Sequence, residues 1–138
     1  AFIPQVRAIV GAGIPFVGHI GMLPQSVREE GGYKKKGRNP EQAALLMADA
    51  VALDEAGAMA IVLESIVPEV AAELTPRVQA ATIGIGAGQG TDGQVLVTHD
   101  LVGAFPWFRP PFAQARADIA AEIRRAAQEY VAACQGGR

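Results

Sequence analysis

The chain has 138 residues, which is enough for one domain and too few for two of ordinary size. Half of the residues are hydrophobic, 19% are charged and the formal net charge is −2, a balance that excludes the clustered basic face of a nucleic-acid-binding protein. The apolar runs are far shorter than the roughly 20 residues of a membrane-spanning helix. One cysteine and a start without signal-peptide features lead us to expect a cytoplasmic protein.

Four apolar runs of β-prone residues predict four strands. None of them alternates cleanly between apolar and polar residues, a pattern that is typical of parallel strands buried on both faces. The four runs are IPFVGHIG (residues 14–21), AMAIVLES (58–65), ATIGIGAG (81–88) and QVLVTHD (94–100).

Helical patterns surround these runs. The clearest helix is predicted to begin with Asn39 as N-cap and Pro40 at the first helical position, and to stop at Gly57. Its buried face is predicted to comprise Leu46, Ala50 and Leu53. We also expect the end of a helix before the first strand and a short helix over residues 68–74. A last helix is predicted from about Pro111, with Phe112, Ile119, Ile123, Ala126 and Tyr130 at helical spacing.

Repeated strand–helix units with parallel strands predict either a doubly wound sheet or a (β/α)8 TIM-type barrel. A complete barrel takes about 250 residues, so this chain holds four of the eight strands. Four strands alone would expose two bare sheet edges and an apolar inner face. An open four-stranded sheet with helices on both faces is the alternative, but we favour residues 1–138 as one half of a single barrel domain.

A glycine-rich turn follows the third predicted strand. Its sequence, GQGTDG (residues 88–93), matches the dinucleotide-binding pattern G-x-G-x-x-G. That pattern binds a pyrophosphate only where it opens a helix, and here another strand-like run follows. We therefore reject a dinucleotide site.

Polar side chains stand at the ends of the predicted strands, where parallel α/β folds carry their chemistry. Glu64 ends the apolar run AIVL, and desolvation there would raise its pKa towards that of a general base. A salt-bridged or solvent-facing glutamate is the alternative. His19 is either a hydrogen-bonded core residue or part of a site. His99 and Asp100 are adjacent in a predicted strand and would point to opposite faces, so we predict no metal site in this chain.

Two further segments are notable. GGYKKKGR (residues 31–38) is a basic loop, interpreted either as a solvated turn or as a mobile lid for an anionic substrate. FPWFRPPF (residues 105–112) places aromatic rings among prolines and is interpreted as a packed or subunit-facing connection.

The motifs, taken in order, resemble the carboxyl-terminal half of the ketopantoate hydroxymethyltransferase family. They are GHIGMLPQSV, GGYKKKGR, IVLES and TIGIGAGQGTDGQVLVTHD, followed by the closing helix. The resemblance covers nearly the whole chain. Leu23 replaces the usual threonine of the family, and Glu64 and Pro68 are one residue further apart than usual.

The resemblance implies a (β/α)8 barrel that assembles into large homo-oligomers, commonly decamers. It implies transfer of a hydroxymethyl group from 5,10-methylenetetrahydrofolate to 3-methyl-2-oxobutanoate, giving 2-dehydropantoate in pantothenate biosynthesis. Mg²⁺ would hold the oxo acid and polarise its carbonyl group. A carboxylate base would remove the neighbouring proton, and the enolate would attack the methylene group.

By motif position, the resemblance makes Glu64 the base and places His19, Gly86 and Gly88 along the site. The Mg²⁺ ligands and a substrate-binding lysine are expected on the amino-terminal half of the barrel, so we expect this chain to be inactive without that partner. Two alternatives stay open. One is a related metal-dependent carbon–carbon lyase or mutase of the phosphoenolpyruvate-handling barrels, and the other is a non-catalytic half-barrel that only assembles.

Overall fold

A computed structural model describes residues 2–26, 28–29 and 31–136 of the chain. The chain divides into two compact units, Ala1–Val95 and Leu96–Arg138. The first unit contains a sheet of four strands in the order β1-β2-β3-β4, and all three strand pairs are parallel. The predicted α/β class and the predicted parallel sheet are therefore confirmed.

Strands and helices alternate along the first unit. They are α1 (Ile3–Gly11), β1 (Val17–Gly21), α2 (Pro40–Glu55), β2 (Ala60–Glu64), α3 (Pro68–Leu74), β3 (Ala81–Ile85) and β4 (Gly93–Gln94), with 3-10 turns at Pro24–Ser26 and Thr75–Arg77. The second unit contains α4 (Thr98–Leu101) and α5 (Ile119–Gly136). No helix in the described part of the chain is both long and apolar enough to cross a membrane.

The helix α2 forms as its sequence predicts. Asn39 Oδ1 accepts a hydrogen bond from the Gln42 N–H (2.8 Å), and Gln42 Oε1 accepts one from the Arg38 N–H (3.1 Å), so the two side chains cap the first turn. The predicted face of Leu46, Ala50 and Leu53 is buried. Gly57, with φ +92°, ends the helix where a side chain would press on Val10 of α1.

The two faces of the sheet have different surroundings. Residues paired across parallel strands share a face, and successive residues alternate. Ile20, Ile61 and Leu63 therefore lie on one face, where they are buried in a core with residues of all three helices of this unit. We call this the packed face. The apolar runs predict burial on both faces of the sheet, and the packed face confirms this for one of them.

The opposite face, which we call the open face, is only partly covered. Its larger side chains are Val17, His19, Val62, Glu64 and Ile83, set by the register that pairs His19 with Val62 and Val62 with Ile83. Val17 is 50% exposed and the other four are half-buried or exposed, whereas Ala60 and Ile85 on the same face are buried. The sequence predicted strands buried on both faces, and on this face that burial is only partial.

The fourth predicted strand, residues 94–100, is mostly absent. Strand β4 covers only Gly93 and Gln94, and after the Val95 N–H bonds to the Gly84 carbonyl the chain leaves the sheet. The N–H groups of Asp100 and Leu101 bond to the Val97 carbonyl, which starts a helical turn instead. His99 and Asp100 therefore lie in α4 of the second unit and not at a strand end, so this prediction is wrong.

The last helix begins later than predicted. The prediction placed its start near Pro111, whereas α5 starts at Ile119, where Asp118 Oδ1 accepts a hydrogen bond from the Ala121 N–H (3.1 Å). Phe112 consequently lies outside the helix. No described residue of α5 is buried, and Ile123 and Tyr130 are 61% and 72% exposed.

Candidate active site

The structure brings Glu64 and His19 together on the open face. Glu64 is the last residue of β2, and it pairs with Gly21 of β1, two positions beyond His19. Diagonal neighbours on one face of adjacent strands are within reach of long side chains. His19 Nε2 lies 3.1 Å from Glu64 Oε2, and the two side chains are 35% and 14% exposed. The two residues therefore form one acid–base pair.

Burial dominates the electrostatics of Glu64. Desolvation disfavours its charged form and raises the pKa of the carboxyl above the ordinary 4.5, while the charge of His19 and the hydrogen bond to it act in the opposite direction and are smaller. A carboxylate with a raised pKa is a better proton acceptor near neutrality than an exposed one.

Main-chain hydrogen bonds fix the position of Glu64. Its carbonyl accepts from the Met22 N–H (2.8 Å), and the N–H of the following residue, Ser65, donates to the Ile85 carbonyl (2.8 Å). Ser65 is buried and adopts a left-handed φ of +51°, which is uncommon for a residue with a side chain. Gly21 has φ +101°, and a Cβ there would press on the Glu64 carbonyl oxygen. The Glu64 side chain thus projects from a main chain that is held by hydrogen bonds and locally strained.

The basic loop after β1 is tied to the same segment. The Lys36 N–H donates to the Ser65 carbonyl (2.8 Å), and the Val67 N–H donates to the Lys36 carbonyl (2.9 Å), which makes an isolated parallel bridge between residues 36 and 66. The end of GGYKKKGR is therefore held next to the residues that follow Glu64. Whether the preceding residues close over a substrate stays a prediction.

The glycine turn after β3 packs against α3. Gly88 has φ +82°, and a Cβ there would lie 2.6 Å from Pro68 Cβ; a Cβ at Gly90 would lie 2.5 Å from Ala72 Cβ. Gly86 also has a positive φ, +65°. Because Gly88 and Gly90 have no side chains, α3 can approach the turn closely. Contacts of Gly86 and Gly88 with a substrate stay a prediction.

Two aspartates that the sequence analysis did not single out accept hydrogen bonds at the start of β3. Asp92 Oδ2 accepts hydrogen bonds from the N–H (2.7 Å) and the hydroxyl (2.8 Å) of Thr82, a fully buried residue, and these bonds lower the pKa of Asp92. Asp54 accepts from the N–H groups of Gln79 and Ala80 (3.0 and 2.7 Å). An acidic residue inside the tight turn GTDG was the signal for Asp92; nothing in the sequence marks Asp54.

His99 belongs to the second unit. Its ring lies 5.4 Å from that of Phe105, which in turn contacts Trp107 edge-on at 5.1 Å. Across the described ranges, no group of three or more His, Cys, Asp or Glu side chains is arranged to hold a metal ion. The described residues thus offer a proton-transfer pair and no set of Mg²⁺ ligands.

The fold and this site define a parallel α/β protein with a carboxylate–imidazole pair near the carboxyl ends of its strands, the edge where such sheets bind ligands. The profile of the family described as ketopantoate hydroxymethyltransferase matches residues 1–138. The chain belongs to this family, and the resemblance seen in its motifs is confirmed.

Three relatives illustrate the similarity, and all are named 3-methyl-2-oxobutanoate hydroxymethyltransferase. The protein of Cenarchaeum symbiosum (strain A) is 51% identical over 127 residues, covering 92% of this chain and 48% of the relative. The Mesorhizobium japonicum protein is 50% identical, covering 93% and 45%, and the Citrifermentans bemidjiense protein is 47% identical, covering 96% and 49%. The chain spans about half the length of the curated relatives it matches.

Proposed function

We propose that this chain provides one half of a (β/α)8 hydroxymethyltransferase of pantothenate biosynthesis, with Glu64 as its general base. The observation that carries this proposal is the 3.1 Å pair of Glu64 and His19 on the open face. The family and the name shared by the three relatives supply the substrate, 3-methyl-2-oxobutanoate.

The open face and the coverage of the relatives support a half-barrel. Val17, Val62 and Ile83 leave an apolar surface on the side away from the helices, and β1 has no partner on its outer edge in the described part of the sheet. A barrel turns such a face inwards and pairs such an edge. We therefore propose that the remaining strands come from a complementary half equivalent to the rest of the relatives, and that complete barrels assemble as a homo-oligomer.

The chemistry assigned to this chain is a proton transfer. The Glu64 carboxylate takes the proton from C3 of 3-methyl-2-oxobutanoate, and the C–H electron pair moves towards the carbonyl group to form the enolate. Water adds to the methylene carbon of 5,10-methylenetetrahydrofolate while both C–N bonds of that carbon break, which releases tetrahydrofolate and leaves the carbon as formaldehyde. C3 of the enolate then bonds to this carbon, and its oxygen takes up the proton held by Glu64 and becomes the hydroxyl group of 2-dehydropantoate. A raised pKa helps Glu64 to hold the proton that it removes.

Magnesium enters this proposal only through the complementary half. The family resemblance implies that its ligands lie on the amino-terminal half of the barrel, so we place them outside this chain. When bound, Mg²⁺ would act as a Lewis acid on the oxo acid. It follows that residues 1–138 alone would have a base but no means of activating the substrate, and we expect them to be inactive alone.

A chimera tests the assignment of Glu64. Residues 1–138 would replace the matching half of the Cenarchaeum symbiosum relative, and exchange of the C3 proton of 3-methyl-2-oxobutanoate in D2O would be followed by proton NMR, without folate. We expect Glu64→Gln to lower the exchange rate about 10²–10⁴-fold, because an amide cannot accept the proton.

Glu55→Gln is the matched control, since Glu55 is an exposed glutamate at the end of α2. It should exchange the proton at the rate of the unaltered chimera. Unchanged exchange in Glu64→Gln, with normal assembly by native mass, would contradict the proposal and favour a half-barrel that only assembles.

A further inference from the structure

We infer that His19 is a positioning residue for Glu64: its Nε2–H donates to Glu64 Oε2 and holds the carboxylate with Oε1 directed at the substrate proton. This inference rests on the proposed function. It assigns His19 a role that is distinct from substrate binding and that can fail while the role of Glu64 stands.

The geometry is consistent with a positioning role for His19 and proton removal by Glu64. Nε2 lies 3.1 Å from Oε2, which is hydrogen-bond distance, so one carboxylate oxygen is engaged and Oε1 is left to accept a proton. Both residues are carried by neighbouring strands of the same sheet, which restricts their relative movement. A glutamate side chain has three rotatable bonds, and the hydrogen bond removes the freedom that the strand alone leaves.

The protonation state of His19 then matters. Neutral His19 with its proton on Nε2 donates to the carboxylate and leaves its basicity largely intact, whereas a second proton on the ring places a positive charge beside the carboxylate and makes it a weaker base. His19 is more exposed than Glu64, so solvent protons have access to the ring.

Few other charges face the pair. Within the described strands β1 to β4, His19 and Glu64 are the titratable side chains. Helices α1 to α3 lie on the packed face, and Asp92 in the turn before β4 is engaged by Thr82. Lys36 is bonded through its main chain to the segment after Glu64, and Lys34, Lys35 and Arg38 are the other charged residues of that loop. A change in exchange rate between pH 5 and 8 would report the carboxyl–imidazole pair.

Two substitutions at His19 in the chimera test the inference. In His19→Gln the amide nitrogen can occupy the place of Nε2 and donate without titrating, whereas His19→Leu keeps bulk and loses the donor. We expect His19→Leu to lower kcat for C3-proton exchange about 10–100-fold, with KM for 3-methyl-2-oxobutanoate changed less than about threefold.

The conservative variant should restore function with a different pH dependence. We expect His19→Gln to exchange within about threefold of the unaltered chimera at pH 8, and to lose less of its rate as the pH is lowered from 8 to 5, because an amide does not take up a second proton beside the carboxylate. A merely structural role of His19 would leave that fall in rate unchanged.

Each other outcome overturns the inference. An unchanged exchange rate and pH profile in His19→Leu would show that the ring does not act on Glu64. If Glu64→Gln still exchanges the C3 proton slowly, the proposed function would remain supported. A large rise in KM in both His19 variants would make the ring a substrate contact. If His19→Leu fails to fold, the pH profile of His19→Gln decides alone: a weaker fall in rate from pH 8 to pH 5 than in the unaltered chimera supports the positioning role, and an unchanged fall refutes it.

Discussion

The two faces of the sheet place opposite demands on the sequence. On the packed face, Ile61 and Leu63 are fully buried, and Gly18 leaves room for the Leu53 side chain of α2. On the open face, His19 and Glu64 keep polar atoms near solvent, and Val62 and Ile83 are only partly covered. One face therefore holds the helices on the sheet, and the other carries the candidate chemistry on the same strands.

A junction of three residues joins the two faces. Gly21, Glu64 and Ser65 lie where β1 and β2 end, and two of them have positive φ angles. The comparison therefore predicts three sizes of response: the largest loss of stability for a side chain added at Gly21, a large loss on the packed face, and small changes on the open face.

The largest loss is expected for Gly21→Ala. Its φ of +101° is unfavourable for alanine, and the new Cβ would meet the Glu64 carbonyl, which is backbone and cannot turn away. We expect the free energy of unfolding of the chimera to fall by about 3–6 kcal/mol. Urea denaturation measures it. Gly11→Ala, where a Cβ meets nothing within 4 Å, is the control and should change stability by less than about 1 kcal/mol. Equal midpoints for the two variants would contradict the strained junction.

Neighbouring residues of β2 separate the two faces directly. Leu63→Ala should cost about 2–5 kcal/mol, because it opens a cavity in a fully buried core. Val62→Ala, one residue away on the open face, removes a half-buried side chain and should cost less than about 1.5 kcal/mol in the isolated chain. In the chimera the cost at Val62 should rise towards that of a core valine. An equally small cost in both backgrounds would argue against a closed barrel.

The packed face was predictable because burial and local signals agree there. Asn39, Pro40 and Gly57 mark α2, and the spacing of Leu46, Ala50 and Leu53 marks its buried side; all are confirmed. The proximity of His19 and Glu64 was not predictable from periodicity, because it depends on the register that pairs Gly21 with Glu64. The family resemblance placed both residues along one site without giving that distance.

The region after residue 94 was predicted least well. Its apolar run VLV has the composition of a strand, but the main chain of Val97 accepts two hydrogen bonds from a helical turn instead. The helical spacing of Phe112 to Tyr130 ignored Asp118, which caps α5 through the Ala121 N–H. A capping aspartate marks the start of a helix more reliably than apolar spacing, because apolar residues can keep a helical spacing in the loop before the helix begins.

The smallest effect is a gain in stability on the open face. Because the pKa of Glu64 is raised in the folded chain, folding favours the protonated form; that contribution is complete below the ordinary value of 4.5 and is lost as pH rises through the higher folded pKa. Above that pH the unaltered chain keeps a charged carboxylate in a desolvated place. Glu64→Gln, whose amide oxygen can still accept from His19, should therefore unfold at a slightly higher urea concentration than the unaltered chimera at pH 8, and at the same concentration near pH 4. Glu55→Gln should show no such pH-dependent difference.

A Glu64→Gln variant that is both inactive in proton exchange and more stable only at the higher pH would mark a residue kept for chemistry at the expense of stability. A destabilised variant at pH 8 would instead make the carboxylate part of the structural core.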